Sequence, residues 1–165
     1  MVENRPQKRI EDGRMVGRYV ASLSERRKMV LQLYAQGFNT KQTAAEMGIS
    51  PDGVTSHIRE IEEKFPGESV STQGTILKLI YGGVKVGELE YSPSDKPLIP
   101  LDSYEQKMLE RIIVKGMGTL HFGNKTGITG SDMNALVNKI LEKRQVKTIY
   151  ELAAAMGYEG RVAQE

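Results

Sequence analysis

One stretch constrains this chain more than any other: Leu23 to Phe65, LSERRKMVLQLYAQGFNTKQTAAEMGISPDGVTSHIREIEEKF. Its punctuation predicts two short helices and then a longer one. Ser22 with Glu25 fits a capping box, and Ser24 is a second candidate N-cap. Met29, Val30, Leu33 and Tyr34 then recur at helical spacing as a buried face. Gly37 ends this helix as a left-handed cap. Asn39, with Gln42 three residues on, caps a second helix, in which Ala44 lets a neighbour cross closely and Met47 fills the core. Gly48 makes the next turn and Ile49 anchors it. Ser50 caps the third helix, and Pro51 takes its first position, where the missing N–H costs nothing.

On the third helix Val54, Ile58, Ile61 and Phe65 form the inward stripe. Asp52, Gly53, Thr55, Ser56, His57 and Arg59 fall outward or on the flanks. Small and polar side chains there let a helix lie close to base edges, where a run of acids could not. Glu60, Glu62 and Glu63 follow as a solvated acidic end. Two short helices and a third with a polar start are the pattern with which a protein lays one helix in the major groove of DNA.

These residues resemble the helix-turn-helix of LuxR/GerE-type bacterial transcription regulators. The likeness runs without a gap through Leu23-Ser24, Val30-Leu31, Gly37, Lys41, Ala44, Gly48-Ile49-Ser50, Val54, His57, Ile61 and Lys64, and covers roughly residues 22–82. A fourth helix follows Pro66-Gly67, capped by Thr72, with Ile76, Leu77, Leu79 and Ile80 for packing. Arg27 departs from the family, which usually has glutamate there, and Thr55 stands where a lysine is common. The resemblance implies that Thr55, Ser56 and Arg59 contact the major groove. It implies a phosphate contact for Lys41, helped by the exposed amides at the start of its helix. For His57 two roles stay open, a hydrogen bond between helices and a contact to phosphate or base. Family members of this type usually dimerise through the fourth helix to read two half-sites, so a homodimer through that helix is a further expectation.

The pattern starts again at Leu101. Leu101 and Leu109 align with Leu23 and Leu31 at an offset of 78 residues; Gly116 and Gly127-Ile128 align with Gly37 and Gly48-Ile49 at an offset of 79. One residue has therefore been added near the end of the first helix. Asp102 with Glu105, and Thr129 with Asp132, repeat the capping boxes, while Met133, Val137, Ile140 and Leu141 repeat the inward stripe. Thr148 caps a fourth helix, Ile149 to Met156. We read an internal duplication. The second helix of this copy is weakened by Gly118 and Gly123. On the third, Asn134, Ala135 and Asn138 replace Thr55, Ser56 and Arg59, and Leu136 replaces His57. Asparagine can pair with adenine, and Lys125, Lys139, Lys143 and Arg144 can meet phosphates. Two readings follow for this copy, a second DNA contact through Asn134, Ala135, Asn138 and Lys139, or a surface for a partner.

Residues 82–100, with a glycine pair and three prolines, predict a linker, in which Val84-Lys85-Val86 and Leu89-Glu90-Tyr91 suit short extended pieces. Fully extended it reaches about 60 Å, beyond the ~34 Å between successive major-groove faces. One chain can thus carry both halves of a pseudo-dimer to an asymmetric site. The expected fold is all-α: an N-terminal arm at 1–21, a tetrahelical helix-turn-helix domain at 22–83, a linker at 84–100, a divergent second domain at 101–159 and a tail at 160–165.

Composition bears on what remains. The 165 residues are 39% apolar and hold no tryptophan, which suits two thin aliphatic cores. There is no cysteine, hence no disulfide, no Cys/His zinc finger and no thiol nucleophile; His57 and His121 are too few for a histidine metal site. With no P-loop and no nucleophile beside a base, neither enzymatic activity nor a cofactor is expected. The net charge of +2 leaves any DNA contact to local placement. In the arm, Arg5, Lys8, Arg9, Arg14 and Arg18 are offset by Glu3, Glu11 and Asp12, giving a solvated tail or a phosphate-contacting arm. No apolar run approaches the ~20 residues that span a bilayer, and no signal region opens the chain. These features suggest a cytoplasmic protein of a bacterium, phage or mobile element, away from membranes. No sensor domain fits before Leu23, so activity would be set by amount, oligomerisation or a protein partner. The leading expectation is a sequence-specific transcription regulator on double-stranded DNA. The alternative is a module resembling region 4 of bacterial sigma factors, binding RNA polymerase or another regulator, although such modules commonly carry arginine at the position of His57.

Overall fold

The computed structural model describes residues 5–164, with side chains from Gly13 onward, and all its regular elements among these residues are helical. Of the arm's charged residues, the side chains of Arg5, Lys8, Arg9, Glu3, Glu11 and Asp12 lie outside what is described. The order is α1 (Arg5–Ser22), α2 (Glu25–Ala35), α3 (Thr40–Met47), α4 (Pro51–Lys64) and α5 (Thr72–Lys85). After an irregular stretch come α6 (Ser103–Leu109), a π-helical turn (Glu110–Val114), α7 (Thr119–Thr126), α8 (Gly130–Arg144) and α9 (Ile149–Val162). No helix among them is long and apolar enough to cross a membrane.

Local chemistry sets most of these boundaries. Asn39 and Gln42 form the reciprocal capping box, with bonds of 2.8 and 2.9 Å, and Gly48 closes α3 in the left-handed region. Ser50 caps α4 over Pro51, and Asp102 with Glu105 caps α6 reciprocally. Two starts differ from expectation. Ser24, not Ser22, caps α2, because Ser22 still belongs to the last turn of α1 and its hydroxyl donates to the Tyr19 carbonyl. Ser71, not Thr72, caps α5; its extended backbone aims the hydroxyl at Gly74 N, and Thr72 instead donates to Glu62. Met29 is exposed, and Leu31 joins Val30, Leu33 and Tyr34 inside.

The stretch before Ser22 is not a bare tail. It is helical from Arg5, and α1 buries Val16 and Val20 against Gly82 and Gly83 of α5. Tyr19 stacks on Phe65 at 5.4 Å, and its hydroxyl donates to the Ile61 carbonyl at 2.6 Å.

The fourth helices, α5 and α9, pack on each other. Around them the arrangement is reciprocal: α2 lies on α9, and the π-helical turn after α6 lies on α5. Tyr34 meets Tyr150 at 5.0 Å, and burial pushes the Tyr150 phenol up to about 12, so this contact stays uncharged. The buried side chains of both halves form one continuous cluster. The π turn falls between Leu109 and Gly116, where the two sequence offsets differ by one residue, and its Lys115 N bonds Glu110 O at 2.9 Å.

Neither expected extended piece of the join forms a strand. Val84 and Lys85 belong to α5, and Leu89 is fully buried beside Gly83 and Val20. The Gln32 amide pairs with both backbone groups of Glu90 at 2.8 Å, and Tyr91 meets Tyr158 at 5.9 Å. The first part of the join is thus strapped across α2 and α9. Residues 92–98 are exposed, and Ile99 N is tied to the Lys143 carbonyl.

Thr43 on α3 is fully buried and its hydroxyl has no hydrogen-bond partner. A buried hydroxyl without a partner carries its desolvation cost uncompensated. Thr43→Val is therefore expected to raise stability by about 1 kcal/mol, read as a higher urea midpoint at unchanged slope. A lower midpoint would mean that the hydroxyl is satisfied.

Candidate nucleic-acid interface

α4 is held by its apolar stripe and by polar links from Glu60, Ile61 and Glu62, all in its second half, which leave its start open. Val54 and Ile61 are buried inward and Ile58 is half-buried. Arg27 of α2 forms an ion pair with Glu60, so this cation has its acid on the facing helix. Tyr19 of α1 grips the Ile61 carbonyl from behind. Glu62 accepts from Ser69 and Thr72, linking α4 to the start of α5. Of the acids expected as a solvated end, Glu60 and Glu62 have partners on neighbouring segments, and Glu63 is exposed. Sequence reasoning missed the roles of Tyr19, Glu60 and Glu62. The signal for Glu60 lay in Arg27, a buried-side cation that needs an acid.

The expected contact residues divide by what they are free to do. Ser56, Arg59 and Lys41 are exposed and make no hydrogen bond or ion pair with a described residue. Thr55 is exposed, but its hydroxyl donates to the Pro51 carbonyl at 3.2 Å, which leaves it an acceptor and a methyl group. His57 is half-buried and makes no hydrogen bond, so the interhelical bond considered for it is not formed. Lys41 lies in the first turn of α3, where backbone N–H groups point outward unpaired. These residues come from two helices joined by the Gly48 turn.

In the second half, Asn134, Ala135, Asn138 and Lys139 all lie exposed along α8, and both asparagines have free amides. Ala135 and Lys139 line an open depression of about 500 Å³ with Gly127, Ile128, Asp132 and Leu136. The start of α7 differs from that of α3. Gly118 provides no side-chain cap, and Thr119 donates through both backbone and hydroxyl to Gln73 of α5. Leu120 occupies the place of Lys41 and is 72% exposed. Of the cations expected at phosphates, Lys143 pairs with Glu105 and Arg144 with Glu159, while Lys125 and Lys139 remain free.

Two helices joined by a tight glycine turn, the second with a free polar face, define a helix-turn-helix protein. Residues 21–71 match the model of the bacterial regulatory proteins of the luxR family, and α2 to α4 fall within that match. Comparison with curated proteins and with solved structures gives no match. The family match ends at residue 71 and does not extend to the second half.

Proposed function

We propose that this chain is a sequence-specific DNA-binding transcription regulator that lays α4 in the major groove. The observation that carries the reading is the free face of α4 inside a luxR-family domain. Arg59 and Ser56 face the bases, Thr55 offers its methyl group and lone pairs, His57 flanks them, and Lys41 meets phosphate at the start of α3. Arg59→Ala is expected to weaken specific binding about tenfold and to make its salt dependence shallower. Titrations at several salt concentrations check this, and unchanged affinity with an intact fold removes Arg59 from the interface.

The two halves act, in this reading, as a built-in pseudo-dimer, a tandem pair descended from one duplicated unit. Support comes from the reciprocal packing of α2 on α9 and of the π turn on α5, with α5 on α9 between them. That packing occupies the fourth helices within one chain, in place of a homodimer through them. α8 then presents Asn134, Ala135, Asn138 and Lys139 to a second, unlike half-site. Selection of bound sequences from a random DNA pool should return two different half-motifs at a fixed spacing. A single half-motif confines base reading to α4.

One observation favours a protein partner for the second half. Exposed Leu120 stands where Lys41 would meet phosphate, and suits contact with RNA polymerase or another regulator. Co-purification with polymerase in the absence of DNA supports that reading, and its absence leaves α8 to DNA.

A further inference from the structure

The starts of α5 and α9 are built alike. The Ser71 hydroxyl accepts from Gly74 N at 3.0 Å, and the Thr148 hydroxyl accepts from Glu151 N at 3.1 Å. Gly74 and Glu151 therefore hold the same place in the two fourth helices. Each faces the left-handed glycine that closes the first helix of the other half: Gly74 meets Gly116 (φ +74), and Glu151 meets Gly37 (φ +89).

The two contacts are unlike in size. A Cβ on residue 74 would overlap the Gly116 carbonyl and come 2.8 Å from the Met117 carbonyl carbon. At the other contact the Glu151 carboxylate fills the space. Its Oε1 accepts from Lys147 N at 2.7 Å and would lie 2.8 Å from a Cβ on Gly37. The cause lies in the π turn. The chain reaching Gly116 is one residue longer than the chain reaching Gly37, and its turn rests on the backbone of α5, where only glycine leaves room.

We infer that Gly74 with Gly116, and Glu151 with Gly37, form a pairing code by which the fourth helix of the first half selects the second half over a copy of itself. Two second halves would bring Glu151 onto the Gly116 turn, into a backbone carbonyl that cannot yield. Two first halves would set Gly74 against Gly37 and leave the place of the carboxylate empty. Only the unlike pair both fills the space at Gly37 and avoids the clash at Gly116, an attraction built together with a clash against one wrong partner. The consequence is a regulator whose halves keep a fixed order, and in which a second copy can pair only by exchanging unlike halves. The functional meaning rests on the pseudo-dimer reading, whereas the pairing itself needs no DNA.

The test uses full-length protein carrying a protease site in the exposed 92–98 segment, cut after folding and examined by native mass spectrometry without DNA. Every complex of the cut wild-type protein should contain one fragment of each kind. Cut Glu151→Gly protein should in addition give complexes of two C-terminal fragments, because the clash is gone. Gly74→Glu should abolish co-elution of the two fragments. Should that variant fail to fold, Glu151→Gly, at a partly exposed position, still decides the matter. Wild-type complexes of two C-terminal fragments, fragments that separate at micromolar concentration, or a Glu151→Gly protein lacking the new complex each overturn the inference. A failure here leaves the DNA contacts of α4 untouched, and a failure of DNA binding leaves the pairing intact.

Discussion

Alanine in place of Gly157 is expected to lower the thermal midpoint of the whole chain by roughly 6 °C, in one transition. Gly157 lies on the face of α9 that meets α5. A Cβ there would overlap the Tyr81 carbonyl and come 3.1 Å from the Val84 Cβ. Neither can give way, since the carbonyl belongs to the hydrogen-bonded backbone of α5 and Val84 is packed in the core. α9 must therefore move off α5. Overpacking of this kind costs about 3 kcal/mol, and the ~1 kcal/mol by which alanine favours a helix over glycine offsets only part of it. Both halves should lose stability together, because their buried side chains form one cluster. Gly160, one turn further on, is the control. Its Cβ would meet only the flexible stem of Lys85 and the Tyr81 hydroxyl, at 3.6 Å or beyond, so Gly160→Ala should leave the midpoint unchanged or raise it. Differential scanning calorimetry reads both variants. An early transition of one half alone in Gly157→Ala would mean that the halves are stable independently.

The elements were legible in the sequence because their ends are written in local chemistry. Asn39 with Gln42, Ser50 before Pro51, Asp102 with Glu105, and the glycines at 37 and 48 each act within four residues, so spacing alone locates them. Where two cap residues compete side by side, spacing does not choose. Ser24 prevailed over Ser22, and Ser71 over Thr72, because the upstream helix or a distant acid had already engaged the other hydroxyl.

What the sequence hid was contact between segments far apart in it. Tyr19 stood in what read as an arm, and only the fold brings its hydroxyl to Ile61, 42 residues on. The strap through Glu88 to Tyr91 looked like a free linker because its anchors lie far away in sequence: Glu88 pairs with Lys28, the Glu90 backbone with the Gln32 amide, and Tyr91 packs on Tyr158. The pair Gly82-Gly83 likewise read as the start of a linker, whereas these residues let α1 and Leu89 approach α5 closely. The candidate interface was legible in outline, since exposure of Ser56, Arg59 and Lys41 follows from helical period. The engagement of the Thr55 hydroxyl does not follow from period, because it depends on a rotamer.

Each half also ties its first helix to its third with an ion pair, and the polarity is reversed between them. In the first half Arg27 of α2 holds Glu60 of α4; in the second Glu105 of α6 holds Lys143 of α8 at 2.7 Å. The pairs differ in burial, and so in consequence. The Glu60 side chain is 46% exposed, and a pair of that kind contributes little. Glu105 is only 4% exposed. The hydrogen bond from Lys143, helped by the one from Asp102 N, holds its carboxyl below the usual carboxylate range against the opposing effect of burial. Lys143→Met is expected to cost about 2 kcal/mol at neutral pH, less than the ~3–5 of a fully enclosed pair because Lys143 keeps some contact with water. The sign of the pH dependence follows from the direction of the shift. A carboxyl with a lowered folded-state pKa stabilises the protein fully above its unfolded-state pKa, and that contribution is lost as pH falls through the folded-state value. In Lys143→Met only burial and the Asp102 contacts remain, so Glu105 takes up its proton at higher pH than in the wild type. The difference between the two proteins should therefore be greatest at neutral pH and shrink as both carboxyls become neutral, below the ordinary carboxylate range. Urea unfolding at a series of pH values measures it. A deficit that stays constant down to pH 3 would assign the loss to the packing of the lysine stem. A deficit that closes assigns it to the charge that fixes α8 against α6, and with it the orientation of Asn134 and Asn138.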